Sequence, residues 1–344
     1  MAGDHTAERD ADGRRLTADG FVNAHTHLYS GLAPLGMPSP EREPRDFLEI
    51  LALVWWRLDR ALDERSLRAA ARYYVAQARR LGTVALVDHH ESPNCIEGSL
   101  DVLADACQEL GMPALLCYGA TERNGGYGEA RRGLLECRRF VRENRRPLVK
   151  GVVGLHASFT VSDGTVRDAL ALCADLDTVL HVHCAEDRAD VEDARRRGYE
   201  GPLQRLAALG TVPRGSILAH GVHLTTDDVD FAADQGWWLV QNPRSNRGNK
   251  VGYPRALGRS PYVALGTDGY PSSEADETVV LVEEAAAHDE DTEAALLRAD
   301  ASRRLFAEAF GGMPEPGGVP ADLTDIEAEA AEEARRLWER MRKL

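Results

Sequence analysis

Histidine recurs along this chain in the spacings that grip a metal ion. His25-Thr26-His27 repeats imidazole with period two, so both side chains leave an extended strand on one face and can meet a single ion. His183 stands three residues before Glu186, which sets a candidate ligand beside a carboxylate able to move protons in the same small volume. His220 and Asp268 each follow a short apolar run. Taken singly, each has a plain structural reading. The His pair could be surface or core packing, Glu186 a helix-dipole contact, and Asp268 a turn residue before Gly269. All of these explanations must hold at once to replace one metal site. Nine of the eleven histidines share the pattern: His25, His27, His89, His90, His156, His181, His183, His220 and His223.

The runs that carry them read as strands: 21–25, 83–88, 113–118, 150–155, 178–183, 215–220, 236–241 and 261–267. They are nearly continuous apolar segments, as strands of a parallel sheet covered on both faces must be. Helical periodicity fills the intervals at 64–81, 97–110, 162–175, 224–235 and 274–288. Ser162, Thr225 or Thr226, and Ser273 are candidate N-caps, and Gly82 is a candidate left-handed C-cap. Eight such units predict an α/β fold, a (β/α)8 TIM barrel, with a doubly wound open sheet as the alternative. Reactive residues belong at the C-terminal rim of such a barrel, where these histidines and Asp268 fall. Residues 1–20 read as an N-terminal extension, 21–310 as the barrel, 311–324 as a Gly/Pro-rich linker and 325–344 as a C-terminal helix. That last helix is expected on the barrel wall, with a homodimer contact as the alternative.

The balance of 41 Lys and Arg against 56 Asp and Glu gives a net charge of −15, a field that repels nucleic acid and anionic membranes. With 43% apolar and 28% charged residues the chain is expected to fold around a buried core. Its six cysteines are scattered without a CxxC pair, which argues against a disulfide framework. The first twenty residues lack the apolar stretch of a leader, and no run is long enough to span a bilayer. Cytoplasmic residence is the expectation.

The motifs FVNAHTHLYSGL, VDHHESPNCIEGSLDVLA, VKGVVGLHASFTVSD, HVHCAEDRADVED, ILAHGVHL, NPRSN and LGTDG, in this order, resemble the amidohydrolase superfamily. The likeness covers about residues 21–310 and lies in the cytosine deaminase and chlorohydrolase branch, nearest the SsnA-type aminohydrolases. It implies a metal-dependent hydrolase acting on C–N bonds other than peptide bonds. One divalent ion would be held by His25, His27, His183 and Asp268, with zinc favoured and ferrous iron the alternative. The expected reaction is deamination of a purine- or pyrimidine-like heterocycle by a metal-bound hydroxide. Asp268 and His220 would take its proton, and Glu186 would protonate the ring nitrogen and then the departing amine. The resemblance places His156, Asn242, Ser245 and Asn246 near the pocket mouth. Arg244 reads either as an anion anchor there or as a brace for the loop. His181 is expected behind the ligands, and Trp55 and Trp56 in core or lid packing.

No lysine ends strand four, where two-metal members carry a bridging one; Lys150 begins that strand, which favours a single ion. Gln241 stands where SsnA-type chains carry histidine. The small β-sandwich that relatives build from their terminal segments is expected to be missing. Ring opening of a cyclic amide or amidine, and a non-catalytic barrel that binds a metabolite or partner, are the alternative functions.

Overall fold

The computed structural model describes residues 8–9, 15–17, 19–319 and 321–344. Its strands are β1 (Phe21–Thr26), β2 (Thr83–His90), β3 (Ala114–Ala120), β4 (Val153–Ala157), β5 (Leu180–Cys184), β6 (Ile217–His220), β7 (Trp238–Gln241) and β8 (Val263–Leu265). They pair side by side in chain order, each pair parallel. A short lead-in, Val149–Gly151, pairs with β3; the strand is interrupted at Val152, and β4 follows. The two outer strands meet through a parallel bridge between Thr26 and Asp268. There the backbone N–H groups of Thr267 and Asp268 both donate to His25 O, at 2.9 and 3.0 Å. This contact brings the sheet round on itself, so the barrel holds and the open sheet does not. Most of the extension 1–20 lies outside the described residues, which include one antiparallel pairing of Glu8–Arg9 with Arg15–Leu16.

The helices are α1 (Glu64–Arg80), α2 (Ser99–Glu109), α3 (Tyr127–Glu143), α4 (Asp163–Leu176), α5 (Arg188–Arg196), α6 (Pro202–Leu209), α7 (Thr226–Gln235), α8 (Pro243–Gly248), α9 (Glu274–Ala287), α10 (Thr292–Phe310) and α11 (Thr324–Met341). Ser162, Thr225 and Ser273 cap α4, α7 and α9 by accepting from backbone N–H groups in the first turn. Leu305, Phe306 and Phe310 of α10 join Val22, Val87, Leu115 and Trp238 in one apolar cluster, which fills the barrel between its strands and that helix. Helix α11 spends its apolar stripe on the α1 side, burying Ile326, Ala330, Ala334, Leu337, Trp338 and Met341. Leu344, past the end of the helix, is exposed. None of the described helices is long and apolar enough to cross a membrane.

Gly266 shows how tightly the site end is built. A Cβ there would come within 2.8 Å of His25 O and 2.9 Å of His25 Cβ, and would also press on Asn242. Backbone atoms cannot yield as a flexible side chain does, so only glycine lets β8 run this close to β1 just before Asp268. Gly266→Ala is expected to cost about 1–3 kcal/mol of stability. A lowered urea midpoint checks it; an unchanged midpoint would mean that the two strands separate freely.

Candidate metal centre and pocket

At the C-terminal rim, β1 delivers His25 and His27, β5 delivers His183, and the turn after β8 delivers Asp268. One donor atom from each lies within 4.8 Å of all the others. His27 Nε2 is 2.7 Å and His25 Nε2 3.4 Å from Asp268 Oδ1, and His183 Nε2 is 3.3 Å from His27 Nε2. Behind the donors, Nδ1 of His27 faces the carbonyl of His89, and Nδ1 of His183 faces that of His156 at 2.6 Å. A carbonyl only accepts, so both Nδ1 atoms carry the proton and both Nε2 atoms turn toward the centre. His25 Nδ1 meets His181 Nε2 at 3.0 Å, while His25 Nε2 is buried and has no hydrogen-bond partner. Ser245 Oγ donates to Asp268 Oδ2, turning Oδ1 to the imidazoles.

Such a set calls for positive charge at its middle. Burial pulls His25 down to about 3 despite the Asp268 carboxylate beside it, and burial with neighbouring imidazoles holds His183 and His181 well below the usual histidine range. At His27 burial pulls the same way, but the Asp268 carboxylate outweighs it and lifts the ring to about 9. Three imidazoles and a carboxylate, with their outer partners in place and one orphaned nitrogen, fit a divalent ion such as zinc.

Glu186 and His220 sit against this centre. Glu186 Oε2 is 3.6 Å from His220 Nε2, and Asn249 Nδ2 donates to Glu186 Oε1 at 3.2 Å. Burial raises Glu186 to about 7, against the opposing pull of His220. His220 Nδ1 donates to Asn246 Oδ1 at 3.0 Å, so its Nε2 lone pair faces Glu186 and Asp268. Ala185, His220 and Asp268 all take positive φ, of 49°, 78° and 53°. Left-handed backbone is costly for residues with a Cβ, and here it gathers at the ends of β5, β6 and β8 around one centre.

The pocket over the centre is lined by His27, His183, Glu186 and Asp268, together with Glu91, His156 and Asn249 and the aromatic rings of Tyr29, Phe47, Trp55, Trp56 and Phe159. The segment Phe47–Ala61, helical throughout with a π turn at Leu51–Trp55, forms much of its roof. Trp55 and Trp56 therefore reach the pocket wall as well as the packing beneath it. Among the residues expected at the mouth, His156 lines the pocket. Asn242, Ser245 and Asn246 sit just behind, where Asn246 holds His220 and Ser245 holds Asp268. Arg244 turns away, its guanidinium and backbone N–H bonded to Glu277 and its Nη2 donating to Pro271 O at 2.6 Å. Gln241 bonds to Arg298 and lies off the pocket wall. His90 is tied to Ser92 at 2.7 Å. Glu91, Asn249 and the rings of Tyr29, Phe47 and Phe159 escaped the sequence reading; the only signal for Glu91 was a buried-strand motif ending in a charge.

A model of the amidohydrolase family matches residues 20–301. A 5-methylthioadenosine/S-adenosylhomocysteine deaminase of Thermococcus sibiricus is 26% identical over 271 residues, 77% of this chain and 60% of the relative. A 5'-deoxyadenosine deaminase of Methanopyrus kandleri is 26% identical over 263 residues, 74% of this chain and 57% of the relative. The chain thus spans less than two thirds of the length of these relatives. Among solved structures, an adenosine deaminase from Xanthomonas campestris with bound zinc superposes with a TM-score of 0.76 at 20% identity, covering 95% of this chain and 86% of the other. The atrazine chlorohydrolase TrzN from Arthrobacter aurescens TC1, complexed with zinc, gives 0.70 at 20% identity, covering 87% and 73%. Both share the barrel fold.

Proposed function

The chain belongs to the amidohydrolase family, and on that premise we propose that it is a single-metal aminohydrolase that deaminates an adenosine-like or related N-heterocycle. The observation that carries this reading is the convergence of four donor atoms within 4.8 Å, with Glu186 and His220 against them. His25, His27, His183 and Asp268 would hold one divalent ion, zinc by preference. Lys150 supports a single ion, since it lies in the lead-in Val149–Gly151, before β4 begins, with its Nζ donating to Phe310 O. The ion supplies Lewis acidity that makes water a nucleophile near neutral pH.

The chain's own groups do the rest. Asn246 fixes His220 so that Nε2 can take a proton from the attacking water, and Ser245 keeps Asp268 aligned for the same task. Glu186 holds a proton on the pocket side and delivers it to the ring nitrogen next to the carbon under attack. Left as the carboxylate, it takes the proton of the hydroxyl now on that carbon and passes it to the amine, which leaves as ammonia, and the proton held at His220 or Asp268 restores the acid. His220 Nε2 and the aromatic roof exclude bulk water from the charge that develops. The activity is assigned to a soluble chain acting in the cytoplasm, in line with the absence of a membrane-spanning helix among the described residues.

The relatives named as deaminases favour this reading over ring opening. Metal-loaded protein is expected to release one equivalent of ammonia from 5'-deoxyadenosine or 5'-methylthioadenosine in a coupled ammonia assay. A product that gains water and keeps its nitrogen would instead assign ring opening.

A further inference from the structure

Glu91 is the carboxylate of the pocket wall for which neither the metal set nor proton transfer has a use. It follows His90 at the end of β2, and its side chain is 3% exposed. His89 Nδ1 meets Glu91 Oε1 at 2.7 Å, while His89 Nε2 lies 2.9 Å from Leu155 O. The carbonyl only accepts, so Nε2 is protonated, and a second proton lies between Nδ1 and Oε1. The pair is therefore charge-assisted and holds the carboxylate in one orientation. Gly119 of β3 makes room for it, since a Cβ there would come within 2.6 Å of Glu91 Oε1.

The other oxygen is left over. Oε2 is 4.0 Å from His27 Nδ1, whose proton goes to the carbonyl of His89, and no hydrogen bond from a described residue reaches it. A carboxylate oxygen held this way in a buried wall is costly unless a donor arrives. Besides the metal-site and proton-transfer groups, His156, Asn249, Leu51, Ala157 and Gly269, the wall is aromatic, and no lysine or arginine lines it. Arg123 is not in the wall: its Nη2 donates to Asp59 at 2.8 Å, its guanidinium lies 4.8 Å from the Trp56 ring centroid, and its Nη1 is buried without a hydrogen-bond partner among the described residues. Aromatic faces beside an unpaired carboxylate suit a flat cation or a ring rich in N–H donors.

We propose that Glu91 is the substrate-recognition residue of this pocket, accepting hydrogen bonds through Oε2 from an amidine-like, cationic N–H array on a planar heterocycle. The inference rests on reading this pocket as the substrate site. The test is calorimetric titration of the metal-loaded full chain with benzamidine and with its neutral isostere benzamide. The native protein is expected to bind benzamidine at least about tenfold more tightly, and Glu91→Gln to abolish that preference with metal content and melting temperature unchanged. Equal or undetectable binding of both probes by the native protein overturns the proposal. So does loss of the preference together with the metal, which would assign Glu91 to the metal's surroundings. If Glu91→Gln does not fold, the native ranking decides alone. A Glu91-dependent preference without ammonia release from any aminated heterocycle would uphold recognition while ending the deaminase reading.

Discussion

Replacing His25 and His27 together by alanine is expected to empty the site of metal and to lower hydrolysis by at least about a thousandfold. The ion's share of transition-state stabilisation is several kcal/mol, and each 1.36 kcal/mol is about tenfold in rate. Both residues come from one strand, and together they supply half of the four-donor set. Asp268 would lose its contacts at 2.7 and 3.4 Å at the same time. The first readout is metal content by mass spectrometry: about one equivalent in the native protein and essentially none in the variant. The second does not depend on activity. A ligand that binds only the folded chain raises its melting temperature, so a chelator should lower that of the native protein and leave the variant unmoved. A variant that keeps a full equivalent would show that the ion sits elsewhere on the rim, and the proposed chemistry would fall with it.

How far the site can be read from sequence follows from where each residue stands. His25 and His183 lie inside regular strands and His27 follows the last residue of β1 with its backbone still extended, so period two fixes the face, and Asp268 follows a short apolar run in a Gly-Thr-Asp-Gly turn. A parallel barrel gathers such strand ends on one rim, so spacing alone could bring them together. Glu91 lies at the point where the strand stops and no period applies. Its neighbours across the pocket come from β1, the Phe47–Ala61 segment and the turn after β4, separations that only the closed barrel reveals. Arg244 could be an anchor or a brace in sequence, and only the position of Glu277 on α9 decides its pairing. Helix α3 is hidden in the sequence for a different reason. Its buried face of Ala130, Gly133, Leu134, Cys137 and Phe140 is regular, but arginines and glutamates crowd the intervening positions and hide the stripe. The break of β4 at Val152 is likewise a matter of pairing with β3, not of composition.

The Glu186→Gln variant separates proton transfer from everything else the pocket does. Glutamine keeps the length and planarity of the side chain and can still accept from Asn249 Nδ2, now 3.2 Å from Oε1. It cannot carry a proton between two nitrogens. Because Glu186 is not in the four-donor set, metal content should stay at the native level. Its loss should appear almost wholly in kcat, by about 10²–10⁴-fold, the usual contribution of a positioned acid–base group. KM should move little, since aromatic walls and Glu91 remain to bind the ring. The same substitution also removes a negative charge 3.6 Å from His220 Nε2. An electrostatic role and a proton carrier would both be lost in glutamine and both return in part in Glu186→Asp, so the pH profile separates them: a proton carrier gives kcat a limb set by a carboxyl that burial raises to about 7. A limb present in the native protein and absent from the glutamine variant assigns the proton to this carboxylate. Native kcat in the glutamine variant would move the acid–base work to His220 and Asp268 alone.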